Sequence, residues 1–167
     1  MNFQFYLEKL SDSENFKKFI KENKDAGLVS CFFSIDKEQD MDNKQHFDYF
    51  VPSMNKIFSF KLEDNYNKIE MENIPHEISR ISENLNFDFN EIEKQVIKKI
   101  KQENINSKIQ KMLFSVQNVE NKNMIIGTIF IDGLSIIQVK LDLKEMKIIE
   151  FEKKSFFDMI KIIKKKK

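Results

Sequence analysis

Apolar residues recur at every second position in some segments of the chain and at every third or fourth position in others. The first spacing is typical of a strand with one buried face, and the second of an amphipathic helix. Helices are predicted behind the capping pattern of residues 11–14 and behind Asn90 with Glu93. The inward-facing strand positions form four sets: Val29, Cys31, Phe33 and Ile35; Phe58, Phe60 and Leu62; Met112, Phe114 and Val116; and Ile137, Val139 and Leu141.

The chain resembles itself at an offset of 81 residues. Residues 16–36 align with 97–117 with six identities in 21 positions, and residues 57–72 align with 136–151 at an offset of 79 with five identities in 16. Compositional bias towards Lys, Ile and Asn raises chance identity, but it does not explain why two blocks keep their order at nearly one offset. The pattern predicts an internal duplication in which Phe33 matches Phe114 and Leu62 matches Leu141.

Each copy is predicted to contain a helix, four strands and a closing amphipathic helix. The closing helices are expected over 76–86 and 155–164, with a connector over 84–90 between the copies. Asp132-Gly133 lies between two apolar runs and predicts a two-residue hairpin turn. The sequence Ile148–Phe151 departs from the aligned alternation, which predicts a bulge in the last strand.

The fold class that follows is α+β, because short sequential strands on local turns form antiparallel sheets that helices must cover. We expect two tandem, related α-β-β-β-β-α units, residues 1–86 and residues 87–167 with a basic C-terminal tail, either as two domains or as one compact domain. The arrangement is similar in shape to cystatin-like units and to secretion-chaperone-like domains. Such an analogy of shape favours a binding role.

Composition excludes several classes of protein. The 167 residues are 41% hydrophobic, which is enough for a core and too apolar for a disordered chain. No apolar run approaches the roughly 20 residues that cross a bilayer, and the first residues lack the pattern of a secretory signal, so a cytoplasmic location is expected. A single cysteine excludes an internal disulfide framework. Three glycines are too few for a glycine-rich phosphate-binding loop, and no cofactor is predicted.

Candidate catalytic and metal-binding residues are few. Cys31 alternates with apolar residues, which predicts a buried and inert thiol. His46 and Asp48 lie on one strand face and could contribute two metal ligands, and His76 is predicted at the surface. The acidic run 36–42 fails as a calcium loop, since its sixth position is Met41 and not glycine. No catalytic, cofactor-binding or metal site is therefore predicted.

The two halves of the chain carry opposite charge. Residues 1–90 have 11 basic and 17 acidic side chains, whereas residues 91–167 have 17 basic and 10 acidic ones. The basic excess suggests an anion-binding site at the C-terminus, formed by Lys161, Lys164, Lys165, Lys166 and Lys167. The same lysines could equally favour the dipole of a C-terminal helix and keep that end soluble.

Three functional interpretations remain open. The first is a non-enzymatic module that binds a protein or peptide, because the edges of small antiparallel sheets can pair with another strand. The second is binding of nucleic acid or an anionic surface through the basic C-terminal half, although Arg80 is the only arginine and basic domains that bind nucleic acid are usually more strongly charged. The third is an enzyme whose site has no recognisable motif.

Three segments carry a resemblance to a known group of proteins. KENKDAGLVSCFFSID, DYFVPSMNKIFSF and FEKKSFFDMIK resemble small hypothetical proteins from archaea with reduced, AT-rich genomes. The resemblance spans most of the chain and implies a cytoplasmic, archaeal-type setting. It implies no activity, ligand or site residue, since that group has no function to transfer.

Overall fold

The computed structural model describes residues 2–37, 43–72 and 78–155. The helices are α1 (Phe3–Asp12), α2 (Glu14–Glu22) and α3 (Phe89–Gln102). The strands are β1 (Gly27–Asp36), β2 (Gln45–Val51), β3 (Lys56–Lys61), β4 (Asn67–Glu70), β5 (Ile109–Val119), β6 (Lys122–Ile131), β7 (Ser135–Asp142) and β8 (Lys147–Ser155). A short 3-10 turn at Pro52–Met54 precedes β3, and another at Leu62–Asp64 follows it.

The eight strands form one antiparallel sheet in the order β4-β3-β2-β1-β5-β6-β7-β8. Each half of the chain contributes a meander of four strands, and the two meanders meet where β1 pairs with β5. The prediction of an α+β protein with antiparallel strands is confirmed. The two halves share a single sheet.

At the seam between the halves, Phe33 of β1 pairs directly with Phe114 of β5. Both side chains are fully buried. These are the two residues that the sequence alignment equates, so a twofold relation between the meanders would pass through this pair. The third strands differ more, because Leu62 begins a 3-10 turn whereas Leu141 lies within β7 and is fully buried.

Alternate residues of each strand point to opposite sides of the sheet. One side, which we call the core face, is apolar, and aromatic side chains from each helix contact rings on it. The ring of Phe16 in α2 lies 4.9 Å from that of Tyr49, and the ring of Phe89 in α3 lies 4.1 Å from that of Phe33. The core face carries the predicted inward sets Cys31, Phe33 and Ile35, and Met112, Phe114 and Val116, all buried.

Helix α1 is an element that the sequence analysis did not predict. The side chain of Asn2 caps it by accepting a hydrogen bond from the backbone N–H of Phe5, and Phe3, Leu7 and Leu10 are buried. Ser13 ends this helix and begins the next, since its hydroxyl oxygen accepts from the N–H of Phe16 at 3.3 Å. The predicted helix behind residues 11–14 is therefore confirmed, but its N-cap is Ser13, since Ser11 lies within α1.

The predicted helix over 76–86 is wrong for residues 78–86, which follow an extended and turned path. Long-range hydrogen bonds hold this path: the N–H of Ile81 donates to the carbonyl of Leu28 at 2.9 Å, and Nη2 of Arg80 donates to the carbonyl of Asp25 at 2.5 Å. Such tertiary contacts override a weak local helical preference. Of the second predicted closing helix, 155–164, only Ser155 is described, and it ends β8.

The predicted connector over 84–90 contributes two phenylalanines to the core and contains the start of α3. Phe87 and Phe89 are buried, and the ring of Phe87 stacks on that of Phe3 with centroids 5.1 Å apart. Asp88 caps α3 in place of the expected Asn90, because its carboxylate accepts from the N–H of Asn90 at 2.7 Å.

Two predicted irregularities in the second meander have different outcomes. The hairpin at Asp132-Gly133 is present, but the predicted two-residue turn is wrong. Ile131 pairs with Ser135, which leaves a loop of three residues, and both Gly133 and Leu134 adopt positive φ. The predicted bulge in the last strand is confirmed: Lys140 pairs with Glu150 and Leu141 with Ile148, which leaves Ile149 as the extra residue. The bulge keeps Ile148 and Phe151 packed against the core.

Candidate functional site

Cys31 lies on the core face of β1 and is fully buried, as the sequence predicts. Burial raises the pKa of its thiol well above the usual range, and the negative charges of Asp48 and Glu83 raise that pKa further. A thiol that is both buried and protonated is a poor nucleophile and a poor metal ligand. Cys31 therefore contributes packing.

His46 and Asp48 lie on the opposite side of the sheet, which we call the open face, but the structure gives them different partners. Nε2 of His46 lies 2.6 Å from Oε1 of Glu63, and Oδ2 of Asp48 accepts a hydrogen bond from the hydroxyl of Ser30 at 2.5 Å. Across the described ranges, no three His, Cys, Asp or Glu side chains are grouped to hold a metal ion. His76 lies outside the described residues.

The lysines predicted as an anion site lie outside the described residues, which end at Ser155. The prediction for Lys161, Lys164, Lys165, Lys166 and Lys167 stays a prediction. The same holds for most of the acidic run, because residues 38–42 are not described.

The two terminal strands of the sheet, β4 and β8, are the edges where strand addition would occur. Strand β4 has only four residues, all exposed. Strand β8 has nine residues, five of them charged, and carries the bulge at Ile149. Short, charged and bulged edges are the features that protect a sheet from pairing with another strand. They make both edges poor candidates for peptide binding.

A better candidate is a groove beside the C-terminal half of α3. It has a volume of about 540 Å³ and is open to solvent. We call it the α3 groove. Its lining residues are Lys37, Glu93, Ile97, Ile100, Lys101, Ile105, Asn106, Ser107, Lys108 and Ile109.

The end of α3 explains how the groove forms. Asn104 has a φ of 54°, which turns the chain back after the helix. The N–H of Ile105 then donates to the carbonyl of Ile100 at 3.1 Å, and the N–H of Asn104 donates to that of Lys101 at 3.1 Å. This pair of bonds is a Schellman motif, which typically brings an apolar residue after the turn against the last helical turn. Here it sets Ile105 beside Ile100 and creates the apolar floor.

Isoleucines form the floor and lysines stand at the rim. Ile100 is buried, whereas Ile97, Ile105 and Ile109 are half-buried and lie on the groove surface. A second depression of about 480 Å³ shares Ile97 and Lys101 with the groove. Its lining adds three further polar residues of α3: Lys94, Lys98 and Gln102.

The charges around the groove are balanced in one place and not in another. Nζ of Lys37 lies 2.6 Å from Oε1 of Glu93, so that pair is neutral overall. Lys98 and Lys101 are exposed and form no ion pair within the part of the chain that the structure describes. The groove therefore presents positive charge next to apolar surface.

Sequence reasoning missed this site although a signal was present. Lys94, Lys98 and Lys101 occupy positions i, i+4 and i+7 of α3, which places them on one helix face with Ile97. The predicted anion site was placed on the lysines of the C-terminal tail instead. The floor could not be predicted, because it depends on how the chain turns at Asn104.

Comparison with known proteins does not identify a function for this chain. No family model matches the chain, and no curated protein matches it. One solved structure that is similar to it is a putative lipoprotein from Clostridium difficile 630, with 18% sequence identity and a TM-score of 0.44. The match covers 84% of this chain and 91% of that one. Among the residues described, no helix is both long and apolar enough to span a membrane.

Proposed function

We propose that the protein is a non-enzymatic interaction module that binds a protein or peptide partner in the α3 groove. The observation that carries this proposal is the combination of an isoleucine floor, on which three side chains are half-buried, with lysines at the rim and in the adjoining depression. Apolar side chains that are gathered in one open depression are a common feature of interaction sites.

The shape of the groove favours a polypeptide over a small molecule. Small-molecule sites are usually deep clefts or cavities that bury about 70–90% or more of the ligand surface. The α3 groove is open to solvent and lies beside a helix, which suits a second helix or an extended segment.

A second candidate function is binding of a polyanion such as nucleic acid. Lys98 and Lys101 favour it, together with the basic excess of residues 91–167. The floor argues against it, since single-stranded nucleic acid is usually held by aromatic rings that stack on its bases and the groove lining contains none. An enzymatic role finds little support in the described residues, where the cysteine is buried and His46 contacts Glu63.

Site-specific photocrosslinking tests the proposal. A photoreactive amino acid at Gln102, which lines the depression beside the groove, is compared with one at Lys18, an exposed residue of α2. In extract from the native host, we expect a discrete protein adduct from position 102 that disappears with Ile97→Asp and has no counterpart at position 18. Equal labelling at both positions, or adducts with nucleic acid alone, would contradict the proposal.

We also propose that the sheet arose by duplication of one helix and a four-stranded meander. Support comes from the seam, where the aligned residues Phe33 and Phe114 face each other, and from α2 and α3, each of which precedes a meander. Helix α1 has no counterpart immediately before α3, where residues 78–87 are not helical. In this scheme α1 is an addition to the first copy.

A further inference from the structure

We infer that the partner segment in the α3 groove is an acidic amphipathic helix, with carboxylates along one side and aliphatic side chains on the adjoining side. This inference rests on the proposed function and names the chemistry of the partner. It follows from the spacing of the lysines, from the nature of the floor, and from Lys98 and Lys101, which form no ion pair with another described residue.

The lysine spacing fits a helix. Lys101 lies seven positions after Lys94 in α3, which corresponds to roughly 10 Å along the helix axis at 1.5 Å per residue, and Lys98 lies between them. A partner helix that lies along α3 and carries Glu or Asp at positions i, i+4 and i+7 presents carboxylates with the same spacing. An extended peptide covers this distance with about three residues, so fewer of its side chains would lie opposite the lysines.

The floor requires aliphatic side chains from the partner. Ile97 lies between the two depressions and lines both, and Ile105 and Ile109 continue the apolar surface away from the helix. Leu, Ile or Met at the partner positions next to its carboxylates would remove this surface from water, at about 25 cal/mol per Å² of apolar area. A purely acidic chain would leave the isoleucines exposed.

Charge complementarity selects an acidic partner over a neutral or basic one. Lys98 and Lys101 form no ion pair with another described residue, so a carboxylate near them would gain a partner without displacing one. Complementary charge at the rim of an interface raises the association rate and excludes like-charged competitors. Lys37 contributes less, because Glu93 already neutralises it.

Fluorescence anisotropy with a synthetic helix tests this inference. The probe is a labelled 16-residue peptide, capped at both ends, with Glu at i, i+4 and i+7 and Leu at the adjoining positions. A matched peptide has Gln in place of every Glu, and a 20-nucleotide thymidine oligomer serves as a polyanion. All titrations use the full-length protein at low and physiological salt.

Two charge-reversed proteins provide a matched pair. The double substitution Lys98→Glu and Lys101→Glu reverses the charge of these two rim positions. Lys17→Glu with Lys18→Glu makes the same change in net charge on exposed positions of α2, where the sequence alignment places the counterpart of Lys98. Circular dichroism and thermal unfolding show whether each variant keeps the fold.

We expect the Glu peptide to bind about tenfold or more tightly than the Gln peptide, since more than one rim lysine contributes. The rim variant should lose that preference, whereas the α2 variant should stay within about twofold of the unmodified protein. Ile97→Ser should weaken both peptides. Equal binding of the Glu and Gln peptides, or an equal loss in both variants, would overturn the inference.

Other occupants give distinct results. Oligonucleotide binding that is as tight as peptide binding, and is lost in the rim variant, would assign the groove to polyanions. Self-association of the unmodified protein in sedimentation, abolished by the rim variant, would assign it to a second copy of the chain. If the acidic peptide fails but crosslinks at Gln102 persist and depend on Ile97, the partner chemistry is wrong and the binding role stands.

Discussion

Gly127 lies at a position of the core face that has little room for a larger side chain. A Cβ atom at this position would lie 2.5 Å from Cγ2 of Val139 and 3.0 Å from Cε1 of Phe114. Both neighbours are buried in a densely packed interior and cannot move freely. We expect Gly127→Ala to lower the free energy of unfolding by about 1–3 kcal/mol, measured by urea denaturation.

Val139→Ala provides the control for this prediction, because it removes the nearer of the two contacts. The double variant should lose less stability than the two single variants together, since the shortened side chain makes room for the added methyl group. Strict additivity of the two losses would show that overpacking against Val139 is not the cause.

Cys31 gives a second prediction for a single residue. Its side chain is fully buried, and burial raises the pKa of the thiol, so the reactive thiolate is scarce and hidden. A thiol reagent such as Ellman's reagent should modify native protein slowly and denatured protein at once. Cys31→Ala should cost about 1 kcal/mol through a small cavity. Fast modification of the native protein would contradict burial and reopen the possibility of an enzymatic thiol.

At the scale of secondary-structure elements, the junction of α1 and α2 depends on one side chain. Ser13 is the N-cap of α2, and its hydroxyl also donates to the carbonyl of Leu10 at 2.7 Å, at the end of α1. Ser13→Ala removes both bonds. We expect it to lower the free energy of unfolding by about 1 kcal/mol, as typical N-cap losses do.

Ser11→Ala is the matched control for the Ser13 prediction. The hydroxyl of Ser11 donates only to the carbonyl of Leu7 within α1, so its removal should change stability by less than about 0.5 kcal/mol. Chemical denaturation of both variants measures the difference. Equal losses would show that the junction does not depend on the cap.

The elements that the sequence predicted well are those in which local pattern and burial agree. In the strands around Phe33 and Phe114, the alternate apolar residues 31, 33 and 35, and 112, 114 and 116, are all buried. Helix α1 could have been predicted from the sequence, since Phe3, Leu7 and Leu10 follow Asn2 with helical spacing. The error over residues 78–86 had a different origin, because the path of this segment depends on hydrogen bonds to residues more than 50 positions away.

At the scale of the whole molecule, the candidate site was harder to predict than the fold. The positive charge of the second half was visible in the composition, but its location was not. The α3 groove requires a turn at Asn104 and the return of the chain along the helix, and neither is a periodic feature. A site formed where one element ends and the next begins is therefore hard to predict from the local spacing of apolar and polar residues.

The continuous sheet makes a prediction about how the molecule unfolds. The aligned halves meet at Phe33 and Phe114, whose side chains contact the same ring of Phe89 in α3. A core that crosses the seam in this way should join residues 1–86 and 87–167 into one cooperative unit. Two independent domains would share no such contacts.

Scanning calorimetry of seam variants tests that cooperativity. We expect one transition with equal calorimetric and van't Hoff enthalpies. Phe33→Ala and Phe114→Ala should each move the whole transition to lower temperature, by an amount that corresponds to about 3–5 kcal/mol, because each leaves a large cavity against Phe89. Phe5→Ala is the control, since that ring is 50% exposed and its loss should matter far less. Two transitions, of which Phe33→Ala moves only one, would show that the halves fold independently in spite of the shared sheet.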